Sequence, residues 1–152
     1  MNAPDYPLSH TAADLQAMMA HLTARHGLAQ FDAAGFDDFA AAAGDRVILF
    51  AEDPVRVPES WDALVVLPEL LKLQPGRLAA GLLDVGSARA LAPRYGIARF
   101  PALLFLRDGG YVGAIEGLRD WGDYAREFAA MPARPVGRAP LALRAESSAG
   151  CH

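Results

Sequence analysis

Only one cysteine, Cys151, occurs in the chain, and it stands next to the last residue. A lone thiol there excludes an internal disulfide and leaves no second sulfur to resolve a mixed disulfide. Lysine is equally scarce: Lys72 is alone among 14 cationic residues. With the abundant alanine this is a compositional bias, and no function is read from it. No stretch approaches the roughly 20 apolar residues that span a bilayer, and no basic segment leads into an apolar run within residues 1–10. The expectation is a cytoplasmic protein without stable membrane insertion. Basic charge is in deficit too, 14 cations against 18 carboxylates for a formal net charge of −4. Such a chain has no global basic field to hold a nucleic-acid backbone, which argues against nucleic acid as a partner. His10, His21, His26 and His152 lack ligand spacing, and Gly109, Gly110 and Gly113 sit in a hairpin signal rather than before a helix. Neither a metal site, a phosphate loop nor a cofactor is expected.

What is present is a hydrophobic content of 53% over 152 residues, enough for one core. Leu15, Met18, Met19 and Leu22 recur at helical steps within Ala12 to His26, which Gly27 ends. A short strand is expected at Leu28 to Phe31, then a helix capped by Asp32 through Ala43. Val47 to Ala51, VILFA, is the continuous apolar run of a strand covered on both faces. Glu52 to Glu59 holds Pro54 and Pro58 and must be a loop. Ser60 is the expected cap of a helix over Trp61 to Lys72, with Pro68 kinking or splitting it. A buried strand at Arg77 to Val85 and a helix at Ser87 to Tyr95 follow, so this half demands parallel pairing through right-handed crossovers. Ala102 to Leu106 and Tyr111 to Gly117, separated by Arg107, Asp108, Gly109 and Gly110, read as a hairpin. Asp120 caps a last helix to about Met131, with Trp121, Tyr124, Ala125 and Phe128 at inward spacing. The expected organisation is a flexible N-terminus over 1–9, one domain over 10–131 and a flexible tail over 132–152.

This order of elements resembles thioredoxin, and ALAPRYGIARFPALLFLRDGGYVG over residues 90–113 resembles the stretch around its cis-proline. The resemblance implies an α/β, three-layer sandwich with a mixed central sheet and flanking helices, and a cis Phe100–Pro101 bond. A thioredoxin carries Cys-x-x-Cys after its central strand, because a helix N-terminus lowers a thiol pKa. Here that loop reads AEDPVRVPES. Taken together, FAEDPVRVPES, VVLPELLK, ARFPALLF and GLRDWGDY resemble the HyaE/HupG family of hydrogenase expression proteins, thioredoxin-like proteins without the cysteine pair. The likeness covers roughly residues 10–131. It implies a non-catalytic role in maturing a membrane-bound nickel-iron uptake hydrogenase. The implied partner is the twin-arginine signal peptide of the small-subunit precursor, with other maturation proteins as further candidates.

A receptor for paired guanidinium groups followed by an apolar segment needs carboxylates beside an apolar surface. Glu52, Asp53, Glu59 and Asp62 flank the carboxyl end of the central strand, where open α/β sheets bind ligands. Trp61, Phe100 and Pro101 are the apolar candidates. Plainer readings stand beside these: Asp53 before Pro54 as a turn former, Glu59 as a favourable helix N-terminal charge, Trp61 as core, Pro101 as structural. Two other classes of function remain open, a scaffold subunit that recognises no signal peptide, and a thiol oxidoreductase working through Cys151.

Overall fold

A computed structural model describes residues 10–140. The expected flexible N-terminus over 1–9, Cys151 and His152 lie outside them. In chain order the elements are α1 (Ala12–His26), β1 (Ala29–Phe31), α2 (Ala33–Ala41), β2 (Asp45–Phe50), α3 (Glu59–Leu71), β3 (Leu78–Leu83), α4 (Val85–Leu91), β4 (Ala102–Arg107), β5 (Gly110–Glu116) and α5 (Trp121–Ala130). The five strands form one sheet in the order β1-β3-β2-β4-β5. β1, β3 and β2 pair in parallel, and β4 and β5 run antiparallel.

Strand periodicity divides the core into two layers. From β2 and the residue after it, Val47, Leu49 and Ala51 join α1, α3 and α5 on one face, while Ile48 and Phe50 join α2 and α4 on the other. β4 repeats the alternation, with Leu103 and Phe105 facing one way and Leu104 and Leu106 the other. Burial on both faces is why β2 reads as an unbroken apolar run. Gly81, in the middle of β3, leaves room for rings: a Cβ there would meet Phe31 at 2.5 Å and Phe39 at 3.0 Å. The Phe100–Pro101 peptide is cis.

Two local expectations are corrected, and of the two alternatives at Pro68 the split helix is excluded. Pro58, not Ser60, occupies the N-cap of α3 and makes no side-chain cap bond. Ser60 is buried inside the helix, where its Oγ accepts the Glu52 N–H at 2.9 Å. α4 begins earlier than Ser87, because Asp84 accepts the Ser87 N–H at 2.7 Å and caps it. α3 runs through Pro68 as one helix, with that proline buried.

The largest correction concerns the tail, which was expected to be free from Pro132. Residues 131–133 form a 3-10 turn, and the Gly137 N–H donates to the Tyr111 carbonyl at 2.8 Å. Arg107 donates to the carbonyls of Arg134, Pro132 and Met131 at 2.9, 3.2 and 3.4 Å. Gly96 lies so close to Pro140 that a Cβ would collide with it. Residues 132–140 are thus fastened by backbone carbonyls, which composition does not register. Among the described residues, no helix is long and apolar enough to cross a membrane.

Candidate functional site

The carboxyl end of β2 is closed by an internal ion pair. Phe50 pairs with Ala102 of β4 and Leu83 of β3, so the residues after Phe50 emerge between the Pro101 bend and the start of α4. Glu52 is only 8% exposed. Arg89, from α4, donates Nε to both of its oxygens at 2.9 and 3.0 Å and Nη2 to Oε1 at 2.5 Å. The Asp53 N–H adds a bond to Oε1 at 2.8 Å. These bonds, Arg89's foremost, hold the Glu52 carboxyl below its ordinary range against the opposing effect of burial. Glu52 is therefore already engaged and is no open acceptor for an outside guanidinium.

Asp53 spends its groups on the loop itself. Its Oδ1 accepts the Val55 N–H at 2.9 Å, and its carbonyl accepts those of Arg56 and Val57 at 2.9 and 2.8 Å. Pro101 is buried, and its carbonyl accepts the Gly117 N–H at 2.8 Å. Phe100 is half-buried and packs onto the α2/α4 layer. Of the proposed partner-contacting residues, Glu52, Asp53 and Pro101 lie together at the sheet end and build its frame.

Glu59, Trp61 and Asp62 form a second group in the first turn of α3. Glu59 and Asp62 are exposed, and neither makes a side-chain hydrogen bond or ion pair among the described residues. Trp61 is half-buried against the α1/α3/α5 layer. Its ring stacks on His10, with centroids 3.5 Å apart and planes 8° from parallel. Packing of α1 beside α3 opens a groove of about 340 Å³ lined by His10, Asp14, Ala17, Met18, His21 and Trp61; Glu59 and Asp62 are not among its lining residues. Asp14 completes a capping box with Thr11, accepting the Thr11 N–H at 2.8 Å. That bond is the chief reason its carboxyl sits below the ordinary range.

Sequence reasoning missed the α1 side of this groove, because nothing local joins His10 to Trp61 across 50 residues of chain. It also misplaced Trp121, expected to face inward, which is 49% exposed. As the first residue of α5, directly after the Asp120 cap, Trp121 precedes the turn that Tyr124 and Phe128 bury. Leu118, likewise exposed, follows the Gly117 that bonds to Pro101.

Residues 18–124 match the family model described as hydrogenase-1 expression protein HyaE. The hydrogenase expression/formation protein HoxO of Cupriavidus necator is 38% identical over 141 residues, covering 89% of this chain and 88% of that protein. The hydrogenase expression/formation protein HupG of Bradyrhizobium diazoefficiens is 38% identical over 122 residues, covering 78% and 82%. Among solved structures, mitochondrial thioredoxin 3 of Saccharomyces cerevisiae aligns over 71% of this chain and 96% of its own, with a TM-score of 0.56 and 15% identity. That likeness concerns the fold alone, an α/β thioredoxin-like sandwich. By its family-model match and by its identity to HoxO and HupG along most of its length, the chain belongs to the HyaE family of hydrogenase expression proteins.

Proposed function

We propose that this protein is a non-catalytic assembly chaperone for a membrane-bound nickel-iron uptake hydrogenase. It holds the twin-arginine signal peptide of the small-subunit precursor in the cytoplasm until assembly is complete. Family membership supports the hydrogenase part of this reading. The observation that carries the non-catalytic part is the Glu52–Arg89 pair at the end of β2. At the position where a thioredoxin presents thiols, this chain has a mutually satisfied carboxylate and guanidinium, a closed frame with no nucleophile. Beside that frame, Glu59 and Asp62 remain exposed, and exposed carboxylates next to an aromatic surface suit a cationic peptide.

The test is retention of the small-subunit precursor on the immobilised full chain, with and without its signal peptide. The expected result is capture of the precursor and loss of capture when the signal peptide is removed. Equal capture of both forms would instead favour a scaffold role.

A further inference from the structure

We infer that the outer edge of β5, from Ala114 to Glu116, takes on a strand from an extended, uncharged apolar segment of a partner polypeptide, whose side chains rest on Leu118 and Trp121. Joined to the function proposed above, on which this identification of the guest rests, the segment is the apolar run that follows the paired arginines of the signal peptide.

β5 is the last strand of the sheet, so one of its sides faces β4 and the other faces no strand. Its pairing with β4 is regular from Gly113 to Glu116, and alternation along an antiparallel pair fixes which residues serve which side. The Gly117 N–H bonds inward to the Pro101 carbonyl, so Ile115 also turns its backbone groups inward, and Ala114 and Glu116 turn theirs outward. Exposure agrees: Ile115 is wholly buried, whereas Ala114 and Glu116 are half-buried. Arg119 Nε already holds the Glu116 carbonyl at 3.2 Å. The Ala114 N–H, the Ala114 carbonyl and the Glu116 N–H have no partner among the described residues. Such a row of donors and acceptor at strand spacing is complementary to the backbone of an extended polypeptide. The chain itself uses this edge in that way, because Gly137 of the fastened segment 132–140 pairs antiparallel with Tyr111. β1, at the opposite edge, has only three residues and offers less.

Charge and polarity select which part of the guest sits here. Arg134 lies against Gly113 and Arg99 against Gly117, one at each end of the stretch, both exposed and without an ion pair among the described residues. The one carboxylate of β5, Glu116, accepts the Ala98 and Arg99 N–H groups at 2.8 and 2.9 Å. A guest's own arginines are therefore repelled from this stretch, and an uncharged run is accepted. Just past the strand, Leu118 and Trp121 are exposed and give its apolar side chains a surface to cover.

The probe is a synthetic peptide of two adjacent arginines followed by about ten apolar residues. Amide hydrogen exchange of the full chain, read residue by residue, is expected to slow at Ala114 and Glu116 when the peptide saturates, and to stay unchanged across β1. Ala114→Pro removes an outward N–H that no ladder bond needs, a change that an edge strand tolerates. It should weaken binding about tenfold, the scale of one or two lost hydrogen bonds. A peptide N-methylated along its apolar run tests the same bonds with the protein untouched, and should lose affinity likewise. Leu118→Ser with Trp121→Ser should also weaken binding several-fold. Val65→Ser with Leu73→Ser, exposed apolar side chains on the α3 side, should change little. If the peptide fails to bind, or binds while Ala114 and Glu116 exchange as before, or binds as tightly when N-methylated, the strand-addition site is overturned while the chaperone reading stands. If signal-peptide removal leaves precursor capture intact, the chaperone reading falls first and takes the identity of the guest with it.

Discussion

Glu52 sits in an acidic, proline-flanked loop and looks, along the chain, like a carboxylate offered to solvent. Its guanidinium partner lies 37 residues away on α4, and no local pattern announces that pairing. Its depressed carboxyl pKa ties stability to pH with a definite sign. The fold prefers the charged form, so the contribution is present above the ordinary glutamate pKa of about 4.3 and is lost as pH falls through the lower native value. Glu52→Gln keeps the shape and removes the charge. It should cost on the order of 1 kcal/mol at neutral pH, the low side for a charge-assisted bond because Arg89 is half in solvent. Thermal melts of both proteins should differ at pH 7 and converge as pH falls below the ordinary glutamate range. A gap that stays constant with pH would show that packing, not charge, sets the effect. The aromatic residues of α5 make the matching point about burial. Phe128 is fully buried and meets Phe105 edge-on at 5.3 Å. Phe128→Ala should therefore cost roughly 3–5 kcal/mol. Trp121→Ala, at a half-exposed site, should cost under about 1 kcal/mol in the same denaturant titrations.

At the scale of elements, the helices and strands announced themselves wherever side-chain periodicity sets burial. α1 is delimited by Thr11 and Gly27, and β2 is a run with no polar residue between Val47 and Phe50. Boundaries failed where a distant group decides them. Ser60 looks like a cap, yet its hydroxyl serves the end of β2 instead. The segment 132–140 failed for the same reason. Its Pro, Arg and Gly content matches a free tail, but Arg107 of β4 gathers the carbonyls of Pro132 and Arg134, together with that of Met131 just before them, and Tyr111 of β5 pairs with Gly137. The Tyr111–Gly137 bridge lies on the outer side of β5, an edge strand whose unpaired groups would otherwise invite association. Two truncations separate the parts. Removing residues 141–152 leaves every strap bond named above in place and should keep the melting temperature within about a degree. Removing 132–152 should lower it by several degrees, on the scale of the roughly 1–2 kcal/mol that a few part-buried hydrogen bonds contribute, and should raise the tendency to self-associate. Equal melting temperatures for the two truncations would show that the strap adds nothing.

Across the whole molecule, the strand order was legible because parallel crossovers followed by a hairpin leave few ways to assemble one sheet. The groove was not legible, because it exists only once α1 and α3 lie side by side and His10 meets Trp61. The same scale governs the expectation that the protein performs no thiol exchange. Disulfide exchange on this frame needs a thiolate at the amino end of α3 and a second sulfur to resolve the mixed disulfide. Between β2 and α3 the chain supplies Glu52, Asp53, Pro54, Val55, Arg56, Val57 and Pro58, and its single thiol lies far along the sequence at Cys151. A lone terminal thiol can form a mixed disulfide once but cannot complete a turnover by itself. The full chain should therefore show no insulin reduction above the dithiothreitol blank, and Cys151→Ser should leave that result unchanged. Turnover that is present in the wild-type chain and absent in Cys151→Ser would overturn the non-catalytic reading and make the thiol the reacting group.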